Sequence, residues 1–109
     1  MSKTIQFTYK GIDYTLEFTK RSIQTMERNG FKTSDLTDKP LTAIPELFQG
    51  AFLAHHKWTK PDLIEEIYNH FPKRDELFGK LVDMYNEPIL EMVEEPEESE
   101  GNVSWTASF

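Results

Sequence analysis

Between Thr4 and Phe18 apolar and polar side chains alternate. Ile5, Phe7 and Tyr9 fall on one face of a strand, and Tyr14, Leu16 and Phe18 on one face of a second. Lys10-Gly11 separates the two runs, and glycine accepts the positive φ of a tight turn, so the spacing predicts a β-hairpin over about residues 4–18. A lone hairpin is marginal in water, so one face must be covered by helices or by a partner's strand. This segment is therefore the one most open to pairing between chains.

After Phe18 the apolar period changes from two to three or four. Thr19 is placed to cap a helix over about residues 20–29, with Ile23 and Met26 on its apolar face and Asn29-Gly30 as its stop. With Gly30 left-handed, Phe31 falls where a Schellman ending lets it touch Met26. Residues 32–40 read as a polar connection. Ile44, Leu47, Phe48, Ala51, Phe52 and His55 then share one stripe of a second helix, about 43–56, with Pro45 in its first turn. Thr59 is placed to cap a third helix, about 60–71, which opens with Pro61 and Asp62 and buries Leu63, Ile64, Ile67, Tyr68 and Phe71. Phe71-Pro72 ends it, because a residue before proline is pushed out of the α region. A fourth helix, about 74–93, carries Leu77, Phe78, Leu81, Met84, Tyr85, Ile89 and Met92. Pro88 lies inside that pattern and is expected to kink or break it, at a cost of about 3 kcal/mol if the helix stayed straight. The fold class is α+β: a hairpin followed by four helices.

Past Val93 the composition shifts to Glu94-Glu95-Pro96-Glu97-Glu98-Ser99-Glu100, with no apolar residue to offset the entropy of ordering. The expectation is one domain over residues 1–93 and an acidic flexible tail over 94–109. Val103, Trp105 and Phe109 near the end are poorly explained as a pure solvated linker. Eight Phe, four Tyr and two Trp in 109 residues predict an aromatic-rich core. Nineteen acidic side chains against twelve basic ones give a formal charge of −7, which repels phosphate backbones and anionic lipid headgroups. Nucleic acid and membranes are thus disfavoured partners, and basic protein surfaces or apolar surfaces needing solubility are favoured. The absence of Cys excludes disulfides, thiolate metal sites and cysteine nucleophiles. No apolar run approaches the roughly 20 residues needed to cross a bilayer, and Met1 to Gln6 lacks a signal-peptide core, so a cytoplasmic location is expected.

Candidate chemistry is sparse. His55 and His56 are adjacent, about 100° apart on a helix, which disfavours joint chelation, and His70 is at no ligand spacing from them. Glu65-Glu66, Asp75-Glu76 and the tail run could supply acid–base pairs only with burial or a charged neighbour, and they sit among polar residues. There is no phosphate-binding glycine loop and no nucleophile elbow. No catalytic residue, metal site or cofactor is assigned. Trp58, after the second helix, either packs across the helix junction, the commoner outcome, or stays exposed as a binding anchor.

Three segments carry a resemblance: Phe7 to Phe18, the helix ending Met26-Glu27-Arg28-Asn29-Gly30-Phe31, and Leu47 to His56. Together they resemble a family of small proteins encoded in tailed bacteriophages and prophages of Gram-positive bacteria. By size, acidity and hairpin-then-helices order that family is similar to the tail assembly chaperones of long-tailed phages. The resemblance covers about residues 4–93, and Gly101-Asn102-Val103-Ser104-Trp105 also matches the group. It implies a protein that binds the helical tape measure protein before the tail tube polymerises, recruits tail tube subunits and is absent from the finished particle. The mechanism it suggests is an apolar groove among the helices that receives amphipathic tape measure segments, while the acidic surface prevents co-aggregation. Candidate contacts are Phe48, Phe52, Trp58, Tyr85 and Trp105. A homo-oligomer is compatible with the hairpin's free edges. Two rival classes are a minor virion component assembling by strand addition, and a small acidic regulator whose Glu run occupies a basic surface.

Overall fold

The computed structural model describes residues 3–93 and 106–108. Two strands, β1 (Ile5–Tyr9) and β2 (Ile12–Leu16), pair antiparallel with Tyr9 opposite Ile12 and Ile5 opposite Leu16. Lys10 and Gly11 both take positive φ, 48° and 80°, which is the signature of the two-residue turn whose twist matches a hairpin. Six helical segments follow: α1 (Lys20–Arg28), α2 (Asp35–Asp38), α3 (Pro40–Gly50), α4 (Leu53–His56), α5 (Pro61–Asn69) and α6 (Arg74–Glu91). The α+β class and the order hairpin-then-helices stand. The acidic run Glu94–Glu100 and Trp105 lie outside the described residues.

The ends of α1 follow from local chemistry. The Thr19 hydroxyl accepts from the Ser22 N–H, and the Ser22 hydroxyl accepts from the Thr19 N–H, a reciprocal capping box. At the other end Gly30 has φ +96°, its N–H donates to the Glu27 carbonyl, and the Phe31 N–H donates to the Met26 carbonyl at 3.0 Å. That pair of bonds is the Schellman pattern, and it drops Phe31 into the core beside Met26.

Four boundaries depart from the sequence pattern. The expected 43–56 helix is two helices, because the chain turns at Ala51 and Phe52 before α4 starts. The Ala51 carbonyl accepts from the Glu17 N–H at 3.1 Å, so a bond to the hairpin replaces one that a continuous helix would have made. α3 also begins at Pro40 and not near residue 43, which places Pro45 inside it; the carbonyl that loses its donor belongs to Leu41, a residue 93% exposed. α5 starts at Pro61 with Lys60 as its cap residue, and no side chain caps it. Lys60 is held extended by the proline that follows, so Thr59 stands one position too early to serve as cap. Finally, α6 passes through Pro88 to Glu91 without breaking. The missing donor affects a single carbonyl, and the Met92 and Val93 N–H groups close the end on the carbonyls of Ile89 and Leu90.

One contiguous core joins the hairpin to the helices. Phe7 stacks on Tyr14 at 5.1 Å and meets Phe71 edge-on at 5.2 Å, while Phe48 contacts Phe52 at 5.2 Å and Tyr68 at 5.1 Å. A second cluster sets Tyr85 of α6 between Phe18 and Phe31, at 5.3 and 5.6 Å, and so ties the flanks of α1 to the last helix. Each buried ring contributes roughly 1.5–3 kcal/mol by area alone, with about 0.5–1.5 kcal/mol more per well-oriented pair. Three proposed surface contacts therefore require correction. Phe48 and Phe52 are 1% exposed and Tyr85 is 3% exposed, so each is a hub of the core and not a group displayed to a partner.

Glycine substitutions separate local conformation from packing. Gly30→Ala places a Cβ on a left-handed residue and is expected to lower stability by about 1–2 kcal/mol. Gly79→Ala, in the exposed middle of α6 with open space around it, is expected to raise stability by about 1 kcal/mol. Urea midpoints at an unchanged denaturant slope measure both, and equal signs would contradict the backbone assignment.

Candidate protein-docking groove

The short helix α4 and the turn before it are held against the outer edge of β2 and the residue that follows it by two bonds from backbone N–H groups. The Thr15 N–H donates to His56 Nε2 at 3.0 Å, and the Glu17 N–H donates to the Ala51 carbonyl. His56 also packs its ring against Tyr14 at 5.2 Å. Because Nε2 accepts, the imidazole is neutral at that atom, and burial, followed by the neighbouring His55, holds the His56 pKa below its ordinary 6.5. His55 points to the other side, where its Nε2 meets Glu17 Oε1 at 2.6 Å. The helix break at Ala51–Phe52 thus sets His56 on the Thr15 backbone and His55 on the Glu17 side chain.

This arrangement shapes a groove of about 1030 Å³ between α1 and α4. Arg21, Ser22 and Thr25 form its α1 wall, and Leu53 to His56 form the opposite one. Ile12, Tyr14, the connection from Lys57 to Lys60 and Leu63 complete the lining. Trp58 is 86% exposed on the rim, with the Lys57 ammonium 5.0 Å from its ring centroid. Of the two positions open to this indole, packing across the helix junction or facing solvent, the structure takes the second. Arg21, Lys57 and Lys60 line the groove, and among the described residues no Asp or Glu does. Glu17, the nearest carboxylate by bonding, is spent on His55 and its side chain is 14% exposed.

Of the five sequence candidates only Trp58 borders this groove. Phe48 and Tyr85 supply buried floors to two smaller hollows of about 390 and 430 Å³, Phe52 is internal, and Trp105 lies outside the described residues. The residues that sequence reasoning missed are His56, Arg21, Lys60 and Leu53. Periodicity put His55 on the apolar stripe and left His56 off it, and only the helix break reverses that order. A second exposed apolar surface is the last turn of α6 and the residues after it, where Ile89, Leu90, Met92 and Val93 are 42–80% exposed.

Among the described residues the titratable groups bonded to one another are the His55–Glu17 pair and a triad of Tyr9, Lys10 and Glu66. Beside the histidines, the hairpin tip meets α5: the Tyr9 hydroxyl donates to Glu66 Oε2 at 2.7 Å, and Lys10 Nζ lies 3.1 Å from the same oxygen. The Tyr9 hydrogen bond, then that of Lys10, holds the Glu66 carboxyl below its usual range. The His55–Glu17 pair resembles an oriented base, yet among the described residues no hydroxyl donates to either imidazole. Among the described residues no group of three His, Asp or Glu side chains could hold a metal ion. No helix among them is long and apolar enough to cross a membrane.

These features define a small α+β domain in which a hairpin edge is sealed by a short helix and a basic groove with an exposed indole lies beside the seal. The chain belongs to the family described as a domain of unknown function, DUF5055, whose model matches residues 1–109. No curated protein and no solved structure matches it.

The His56 bond gives the domain a pH dependence whose sign is fixed. The folded-state pKa lies below the ordinary 6.5, so the associated stability is complete above about 6.5 and is lost as pH falls through the folded value. The thermal midpoint is expected to drop between about pH 7 and pH 5. His56→Gln, whose amide oxygen can accept from Thr15 without titrating, is expected to flatten that drop, and an unchanged slope would contradict the role given to His56.

Proposed function

We propose that this protein acts by binding another protein, as a tail assembly chaperone-like factor. In this reading it holds the tape measure protein of a long-tailed phage soluble in the host cytoplasm and helps to recruit tail tube subunits, with no catalytic step and no cofactor. The observation that carries the reading is Trp58, a large indole left 86% exposed at the rim of a groove, whereas the other aromatic rings among the described residues are buried or half-buried. Exposed Trp beside a partly apolar concave surface is the composition of an interface anchor. The resemblance of the hairpin, the α1 ending and Leu47–His56 to phage-encoded proteins supplies the partner. An amphipathic tape measure helix would lay its apolar face against Trp58, Leu53 and Leu63, while the surplus of carboxylates elsewhere keeps the complex in solution.

A second reading rests on a different observation. The outer edge of β1, at Gln6 and Thr8, is exposed and carries no backbone partner among the described residues, whereas the β2 edge is covered. That edge suits strand addition within a virion, and the protein's presence in purified particles would favour this over a chaperone.

Co-expression with a tape measure protein of a long-tailed phage tests the chaperone reading. A soluble complex on size exclusion is expected, lost on Trp58→Ala while the thermal midpoint of the isolated variant stays within about 0.5 kcal/mol equivalent of the parent. A tape measure protein equally soluble without this chain, and no complex, would refute it.

A further inference from the structure

The charge of the groove is opposite to that of the molecule. The chain carries nineteen acidic side chains and twelve basic ones, yet three of the basic ones, Arg21, Lys57 and Lys60, line the groove, and among the described residues no acidic side chain does. None of the three cations makes an ion pair among the described residues. The apolar contribution comes from Trp58, Leu53 and Leu63. We infer that the groove selects an acidic amphipathic segment of a partner protein, which sets its carboxylates against Arg21, Lys57 and Lys60 and its apolar side chains against Trp58, Leu53 and Leu63. This rests on the reading of the groove as a docking surface and adds to it the sign of the partner.

Two physical reasons favour an acidic peptide over a nucleic acid, which could also use cations and an indole. A net charge of −7 repels an extended polyanion at every approach, whereas a peptide with a few carboxylates on one face senses chiefly the local positive field. Leu53 and Leu63 also offer aliphatic contact that an amphipathic helix satisfies and a phosphate backbone leaves unmatched. The Lys57 ammonium already sits over the indole, so one ligand carboxylate can meet that cation while a neighbouring apolar side chain covers the ring.

The test follows Trp58 emission in a full-length chain carrying Trp105→Phe, so that one indole reports. Three probes are titrated at low and at raised salt: a short amphipathic helical peptide with Glu on its polar face, the same peptide with Lys in place of Glu, and a single-stranded DNA oligonucleotide. The Glu peptide is expected to bind, to weaken as salt rises, and to lose affinity at least about tenfold in a Lys57→Glu/Lys60→Glu chain whose circular dichroism and melting are unchanged. The Lys peptide is expected to bind about tenfold or more weakly than the Glu peptide. Equal binding of the Glu and Lys peptides would overturn the charge selection while leaving the docking surface in place. No emission change with either peptide, both in this chain and in one whose Glu94, Glu95, Glu97, Glu98 and Glu100 are replaced by Gln, would overturn the docking surface itself. Tighter binding of the oligonucleotide would overturn the peptide assignment. A Glu peptide that binds only when Glu94, Glu95, Glu97, Glu98 and Glu100 are all replaced by Gln would make the chain's own acidic run the occupant and overturn the partner segment.

Discussion

The Glu17 N–H to Ala51 carbonyl bond, at 3.1 Å, is the constraint on which the remaining structure turns. A two-stranded sheet cannot stand alone in water, and one of its edges must find partners for N–H groups that its sister strand does not reach. Here the partner is a carbonyl released by interrupting a helix. Once α3 stops at Gly50 and the chain turns, α4 lies along β2, His56 accepts from Thr15, and the segment from Lys57 to Lys60 is carried to the mouth of the groove. The helix loses continuity, the sheet loses an open edge, and the exposed Trp58 acquires a fixed setting.

The packing at the break explains why it sits there. Gly50 lets α3 approach α1 closely: a Cβ on it would lie 2.5 Å from the Met26 Cε, so only a hydrogen fits without displacing that side chain. Ala51 and Phe52, 0% and 1% exposed, then fill the core during the turn itself. The chain therefore changes direction without exposing apolar surface, which is the condition for a helix break inside a core to be tolerated. The same aromatic network that stabilises the fold absorbs Phe48, Phe52 and Tyr85, and among the described residues leaves Trp58 as a large ring the core does not use.

How much of this could be read from the sequence depends on the range of the interaction concerned. Local devices were legible: the Lys10-Gly11 turn, the Thr19 cap, and the Gly30-Phe31 ending are each set by a few adjacent residues. Apolar stripes were legible too, and Leu47, Ile64, Ile67, Leu77 and Leu81 are buried as their spacing requires. The break at Ala51–Phe52 was not, because its compensation comes from Glu17, more than thirty residues earlier in the chain. The site suffered for the same reason. Periodicity identifies an apolar residue on a stripe but does not distinguish a stripe that faces the core from one that faces a partner, so the spacing alone leaves Phe48, Phe52 and Tyr85 open to either role. Arg21 and Lys60 belong to different elements, and only the tertiary arrangement sets them on one basic surface.

Amide hydrogen exchange tests the central constraint most directly, because it reads each strand N–H separately. If a helix interruption seals β2, the Thr15 and Glu17 amides exchange as slowly as those of the buried helices, while Gln6 and Thr8 on the outer edge of β1 exchange fast. Thr15 and Glu17 amides exchanging as fast as those of Gln6 and Thr8 would mean that α4 does not hold the hairpin, and the groove built on that contact would lose its wall.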